Sequence, residues 1–413
     1  MKIAIIGYGG RGRLYSSILK DKEAEIVAIC DCDKEKLNLA KKELGVSDNI
    51  LYSSEDEFFE SGKIADILFV CTQDELHFRH AIRGLKCGYD LLLEKPIACS
   101  MQECKTIEET ANELHRNIFV CHVLRYTPFF TEIKKQLNSG KFGKVMSLSM
   151  TENVAYWHQA HSYVRGNWNN DNYATPMIIA KCCHDLDLIS WFMDDTCERV
   201  SSFGELSVFK SENAPKNSAE YCLDCGLKDT CPYSAEKIYI KDRAEKGKLD
   251  WPCDIIVNEP TVEKLYKALK TSKYGKCVYK CNNNVVDHQV VNMQFKNGGT
   301  AQLTMTAFSE ECFREIRLHC ENGDIAGNMI DNILTCNIFG KESYRVDVNV
   351  VGDTAYGHGG GDVGMMEALL DFYNGNSPLT TTIAESLQSH YMGFAAEKSR
   401  KENGKIISLM MKQ

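Results

Sequence analysis

Between an apolar run, KIAII at 2–6, and a segment whose apolar residues recur at helical spacing, RLYSSILK at 13–20, the chain places GYGGRG at 7–12. Few folds accept strand, glycine turn and helix in that order. Gly7 serves the tight turn, Gly9 lets backbone approach a pyrophosphate, and Gly12 lets helix and strand pack closely, with the helix N-terminus facing the phosphates. The next apolar run, EIVAIC, ends at Asp31, 19 residues after Gly12. A carboxylate there accepts hydrogen bonds from both ribose hydroxyls of NAD and repels a 2′-phosphate. Arg11 and Arg13 leave NADP open as a second choice.

The pattern repeats downstream. ADILFVCT (65–72) and DLLLEKP (90–96) read as buried strands separated by helical spacing, which predicts a parallel, doubly wound sheet with ligands beyond the carboxyl ends of its strands. Asp74, His77, Glu94 and Lys95 lie at such ends. NAD is therefore expected along Gly7, Tyr8, Gly9, Gly10, Arg11, Gly12, Asp31, Thr72, Gln73, His77, Glu94 and Lys95.

At 413 residues, 44% hydrophobic and 25% charged, the chain is sized for two globular domains. The predicted division is 1–122 and 123–413. A net charge of −9 supplies no basic field for nucleic acid or an anionic membrane. The four-residue apolar start of MKIAIIGYGG is too short for a secretion signal, and no run of about 18 apolar residues offers a membrane span. A cytoplasmic protein is expected. Nineteen cysteines, scattered through apolar runs, then read mostly as reduced, buried thiols.

GYGGRG, the strand ending at Asp31, TQDELH at 72–77, EKP at 94–96 and H-x-x-D at 184–187 together resemble the Gfo/Idh/MocA oxidoreductases, the family of glucose-fructose oxidoreductase and inositol dehydrogenase. TTIAESLQSHYMGFAAEKSRKENGKIISL (380–408) resembles that family's last helix and short strand. The resemblance spans essentially the whole chain. It implies that Lys95 lies beside the nicotinamide as an acid or base, with a cis bond at Pro96 fixing its direction. Moving a hydride from a carbinol carbon requires the hydroxyl proton to leave, and a lysine can relay it. The resemblance also makes His184 the active-site histidine and Asp187 the aspartate that follows it. Relatives place a further aspartate one turn before that histidine, and here that position is Ala180.

Beyond residue 123 the segments VVDHQVVNMQF, TAQLTMTAF, REIRLHCENG, DIAGNMIDN, ILTCNIF and YRVDVNV alternate in character, which predicts a large, mostly antiparallel open sheet in an α+β domain. The family resemblance implies helices on one face of it and a homodimer or homotetramer through the other. HQAHSYVRGNW (158–168) is expected as a loop suited to polyol recognition. Arg125, His158, His161, Arg165, Lys181, Asp187 and His358 are the expected substrate contacts. In HGGGD (358–362), glycines let backbone come close to a ligand, and Asp362 reads as a substrate neighbour or a helix cap.

Residues 177–193, MIIAKCCHDLDLISWFM, are expected as one helix. At about 100° per residue, Ile179, Cys182, Leu186, Ile189 and Met193 share its apolar face and His184 points away, so the cysteine pair does not chelate with the histidine. A second cysteine group, Cys222, Cys225 and Cys231, lies in an insertion around 210–260. It reads as a structural metal site, zinc first, or as reduced free thiols, with Cys253, Cys197 or a histidine as a fourth ligand.

The predicted activity is NAD-dependent oxidation at a secondary hydroxyl of a sugar, cyclitol or derivative, with Lys95 and His184 as the acid/base groups. Two alternatives stand beside it: a glycosidase that oxidises, eliminates and re-reduces with bound NAD, and a dinucleotide-binding sensor without turnover.

Overall fold

A computed structural model describes residues 1–20, 22–351 and 357–409. Strands β1 (Lys2–Ile6), β2 (Glu25–Cys30), β3 (Leu51–Tyr52), β4 (Ile67–Val70), β5 (Asp90–Leu93) and β6 (Ile118–Val120) form one parallel sheet in the order β3-β2-β1-β4-β5-β6. Helices cover both faces, so the central strands are apolar throughout: Ile67, Leu68, Phe69 and Val70 are all fully buried. Strand order reverses between β1 and β4, and the crevice above their carboxyl ends is the natural ligand position.

Gly7 and Gly12 serve the turn and the helix–strand packing expected of them. Gly7 has φ +94°, and a Cβ there would lie 2.6 Å from the Cys71 carbonyl oxygen. A Cβ on Gly12 would lie 2.2 Å from the Gly7 carbonyl oxygen, so neither position accepts a side chain. At Gly9 no described atom lies within 4 Å of the Cβ position. The turn is closed on its packing side and open on the other.

The second sheet contains β7 (Val145–Asn153), β8 (Cys197–Glu205), β9 (His288–Phe295), β10 (Thr300–Thr306), β11 (Phe313–Cys320), β12 (Gly323–Asn328), β13 (Ile333–Ile338), β14 (Tyr344–Asp347) and β15 (Ile407–Ser408). Their order is β14-β13-β12-β11-β7-β10-β9-β8-β15, antiparallel except where β7 runs parallel to β10. Alternation sets the two faces. In β11, Arg314, Ile316, Leu318 and Cys320 are buried while Glu315, Arg317 and His319 are exposed. Helices Pro128–Asn138, Cys183–Met193 and Ile383–Lys401 cover the inner face, with Phe130, Leu186 and Met392 joining Leu148, Leu303 and Leu318 in one core.

The stretch between β8 and β9 forms its own smaller core, including Phe209, Ile238, Tyr239, Leu265 and Leu269. HQAHSYVRGNW is not a loop. Its residues Gln159–Arg165 form a wide π-helical segment that adds Ala160 and Val164 to that smaller core.

The expected 177–193 helix is interrupted. One turn spans Met177–Ala180, and a second helix begins at Cys183. The carbonyl of Ala180, which an unbroken helix offers to the N–H of His184, accepts the Lys95 ammonium at 3.0 Å. A side chain from the first sheet thus meets the backbone at the break.

Candidate active site

The helix Gly10–Leu19 starts beyond Gly9, and its first N–H groups carry no side-chain cap. This is the arrangement that receives a phosphate anion. Asp31 is held at the far end of β2, accepting from the Tyr8 N–H at 2.8 Å and the Asp33 N–H at 2.9 Å. The free lone pairs of a fixed carboxylate and the space at Gly9 fit the adenosine half of NAD. Tyr8 supplies backbone only, because its hydroxyl turns inward to Glu43 at 3.2 Å.

Both arginines that left NADP open have carboxylate partners. Arg11 bridges Glu94 at 2.7 Å and Asp362 at 2.6 Å, and Arg13 donates to Glu43 at 3.1 Å. Burial opposes the charge of Glu94, but Arg11 and Lys95 outweigh it and hold that carboxyl below its ordinary range. Thr72 bonds His80 at 3.0 Å, and Gln73 stands at the N-terminus of helix Asp74–Lys86 with its side chain toward Asn167. His77 is buried beneath these loops and does not line the cleft. Its ring joins the carbonyls of Thr72 and Pro96 at 3.0 and 2.6 Å, tying two strand ends together. The Lys95-Pro96 bond is cis, as the family resemblance implied.

His184 is buried, and its Nδ1 has no hydrogen-bond partner among the described residues. Burial, then the charge of Lys95, with His122, His358 and Arg314 behind it, holds its pKa well below that of an ordinary imidazole. A neutral ring therefore faces an ammonium. The His358 ring lies 6.0 Å from that of His184 and is held by Asp362 at 2.8 Å. Asp362 does not cap its helix, since the cap position is Gly360.

Several expected substrate contacts have other partners. Asp187 is clamped by Arg125 through two bonds of 2.7 and 2.8 Å, and Arg125 also reaches Glu385 at 3.2 Å. Lys181 pairs with Glu152 at 3.1 Å, and Arg314 joins the same Glu152 at 2.9 Å to Asp185 at 2.7 Å. These four form a buried network of alternating charge beside the helix break. His158 does stand at the cleft: Lys181, Arg314 and Lys95 are among the cations that, after burial, lower its pKa. Its neighbours are the Cys312 thiol at 3.7 Å and the Trp251 ring at 4.9 Å.

His161 and Arg165 lie elsewhere. His161 stacks on Tyr274 at 4.9 Å and bonds the Tyr239 hydroxyl at 3.0 Å, and burial holds its pKa at about 3. Arg165 is 1% exposed and grips the Lys276 and Tyr233 carbonyls at 2.7 Å each, with the Cys222 thiol at 3.5 Å. Both organise the inserted region. Ala160 and Val164, four residues apart on the same segment, pack into the smaller core and carry these side chains inward with them.

All nineteen cysteines are unpaired. Among the described residues no group of three or more His, Cys, Asp or Glu side chains is placed to hold a metal ion. The zinc expectation at Cys222, Cys225 and Cys231 is therefore not supported, and the expectation of free thiols fits.

Four site residues escaped the sequence reading: His122, Glu152, Asp185 and Arg314. Two left a signal. Glu152 and Arg314 occupy the inward parity of β7 and β11, alongside Leu148 and Met150 and alongside Ile316 and Leu318. A charged residue on a buried strand face needs a partner. His122 is 1% exposed; neither ring nitrogen has a hydrogen-bond partner among the described residues, its Nε2 stands 3.8 Å from the Asp187 carboxylate, and its ring lies 5.9 Å from that of His184.

The chain is similar to known proteins over both parts. A family model described as an NAD-binding Rossmann fold of an oxidoreductase family matches residues 1–122, and the model of the same family's C-terminal alpha/beta domain matches 134–408. An inositol 2-dehydrogenase of Azotobacter vinelandii is 25% identical over 47% of this chain and 55% of its own. Glycosyl hydrolase family 109 protein 1 of Akkermansia muciniphila is 26% identical over 52% of this chain and 48% of its own. The chain spans about half the length of the curated relatives it matches. In fold it resembles the WlbA dehydrogenase of Bordetella pertussis, solved with NADH and UDP-GlcNAcA, at TM-score 0.71 and 17% identity over 100% of this chain and 98% of that one. With both models matched, nearly end to end, the chain belongs to the Gfo/Idh/MocA oxidoreductase family.

Proposed function

We propose that the protein moves a hydride between bound NAD and a secondary hydroxyl carbon of a sugar, cyclitol or derivative. The observation that carries this reading is the meeting of Lys95, from the carboxyl end of β5, with the helix break that presents a neutral His184. The nicotinamide, when bound, supplies the hydride acceptor. His184 takes the hydroxyl proton on a ring nitrogen, and the Lys95 ammonium stabilises the oxygen as it becomes an alkoxide. Arg11 and Asp362 fix Glu94 and His358 on either side of the cleft, and His158 with Trp251 supplies a polar and aromatic wall for the ring of the substrate. Relatives of this chain include an inositol dehydrogenase, which supports the substrate class.

The test is an anaerobic screen of sugars, cyclitols and nucleotide sugars for NADH absorbance or, with NADH supplied, for its loss. Lys95→Met is expected to lower turnover by about 10²–10⁴-fold; unchanged turnover would contradict the role of Lys95. A second reading, glycoside cleavage through transient oxidation with no net NADH, is favoured by the similarity to a glycosyl hydrolase family 109 protein. The same proposal places the reaction in a reducing, cytoplasmic compartment, in keeping with unpaired cysteines. It also pairs two copies of the chain through the exposed face of the second sheet.

A further inference from the structure

A base needs more than a free nitrogen. An imidazole takes a proton on one nitrogen while its hydrogen sits on the other, and the group that receives that second N–H decides which tautomer is present. In His184 the buried nitrogen is Nδ1, which has no hydrogen-bond partner among the described residues. Its own helix supplies no uncommitted acceptor. Ala180, one turn earlier, has no polar side chain, Asp185 is held by Arg314 at 2.7 Å, and Asp187 is held by Arg125 at 2.7 and 2.8 Å.

Other imidazoles surround it. The rings of His122 and His358 lie 5.9 and 6.0 Å from that of His184, and His390 lies 6.0 Å behind His122. Two of the three are committed. His358 gives its Nδ1 to Asp362 at 2.8 Å and is 40% exposed, unlike the buried nitrogen of His184. His390 accepts the Ile97 N–H on Nε2 at 2.9 Å, which places its own hydrogen on Nδ1, against the Ser386 carbonyl at 3.1 Å. His122 alone of these has neither ring nitrogen engaged among the described residues. It follows β6, and its carbonyl accepts the Arg125 N–H at 3.1 Å in the turn Val123–Tyr126. That one turn brings His122 beside His184 and Arg125 onto Asp187. The His122 Nε2 stands 3.8 Å from the Asp187 carboxylate, which favours a hydrogen on Nε2 and leaves the lone pair on Nδ1.

A nitrogen-to-nitrogen hydrogen bond of about 3 Å puts two imidazole centroids roughly 5 Å apart. The His122 and His184 rings stand about 1 Å short of it, and hydrogen bonds of this kind tighten when substrate is bound. Closing the gap breaks no hydrogen bond, because the His122 ring makes none with a described residue. We propose that His122 is the acceptor for the Nδ1–H of His184, so that Asp187, His122 and His184 form one line that aims the free Nε2 of His184 at the substrate hydroxyl. His122 acts through His184 and does not touch the substrate, so it is a positioning residue. The inference rests on the proposed hydride chemistry and specifies what holds its base. As the hydroxyl O–H bond breaks and an N–H bond forms at Nε2, the His184 ring becomes a cation and its bond to His122 becomes charge-assisted. The proton stays on His184. Lys95, His358 and Arg314 oppose that charge from around the ring, while burial, Arg125 and Lys95 keep His122 neutral against the pull of Glu94. A neutral acceptor suits the developing cation, because a second cation would repel it.

Nitrogen NMR of full-length protein carrying isotopically labelled histidine reads the tautomer directly, the His184 signal being the one lost in His184→Gln. At pH 7 the hydrogen is expected on Nδ1, and a hydrogen on Nε2 overturns the inference. Kinetics test it independently, with the sugar or cyclitol turned over fastest in the anaerobic screen. His122→Phe, which fills the space without an acceptor, should lower kcat by about 10–100-fold with KM little changed. His122→Gln restores an acceptor and should recover part of that loss. A packing role predicts the reverse order, since phenylalanine is the better buried side chain, and that order overturns the proposal. The acceptor favours the charged form of His184, so losing it should move the acid limb of the kcat profile to lower pH in His122→Phe; an unmoved limb contradicts it. Circular dichroism identifies a variant that has failed to fold, and the wild-type spectra then decide. Turnover abolished by Lys95→Met but unchanged in His122→Phe overturns this inference alone. Absence of turnover in the wild type overturns the hydride chemistry and this role with it.

Discussion

At the scale of single residues, the site is decided by which charges already have partners. Asp362 shows this with a sign that can be measured. Burial works against its charge, but Arg11 and His358 overrule it and lower the carboxyl to about 2. The folded value lies below the unfolded one, so the ionised group stabilises the fold above about pH 4 and ceases to do so as pH falls toward 2. The shift from 3.8 to about 2 corresponds to about 2 kcal/mol. Asp362→Asn is expected to lower stability by that order in urea titrations at pH 7, with the gap narrowing by pH 3; a gap that stays constant across this range would contradict the assignment. Arg314→Met, which leaves Glu152 and Asp185 buried without their cation, is expected to cost about 3–5 kcal/mol in the same assay. A loss below about 1 kcal/mol would show that water reaches those carboxylates.

At the scale of elements, what could be read in advance was what local sequence determines. The strand, glycine turn, helix and Asp31 follow from spacing within about thirty residues, and each is in place. The alternating strands of the second sheet were equally legible because one face is buried. The helix break after Ala180 was not, since its partner Lys95 lies 85 residues away in sequence. The same is true of His161 and Arg165, whose polar character suggested a loop for polyol recognition. Their partners Tyr239, Tyr274, Tyr233 and Lys276 arrive from a region more than 60 residues downstream. Packing of the second sheet on its helices is testable at Leu303, which is fully buried at its centre. Leu303→Ala is expected to cost about 2–5 kcal/mol by denaturant titration, the range for truncating a well-packed core leucine; a neutral result would contradict the packing described.

At the scale of the whole molecule, a crevice above one sheet is closed by residues carried on another. The second sheet carries helices on its inner face only, leaving Ser149, Asn292, Gln302 and Arg317 exposed on the other, with Met146 48% and Phe203 54% exposed among them. Light scattering at micromolar concentration is expected to give a dimer or a multiple of it, and a monomer would contradict pairing through this face. No helix among the described residues is long and apolar enough to cross a membrane. The central claim is that hydride passes between a carbohydrate carbon and NAD beside Lys95 and His184. Its most direct test uses a substrate found by the anaerobic screen, deuterated at the carbinol carbon, with rapid quenching and mass analysis of the bound nucleotide. Deuterium on the nicotinamide of the wild type, and none with Lys95→Met, is the predicted result; product formed with no deuterium ever reaching the nucleotide would contradict it.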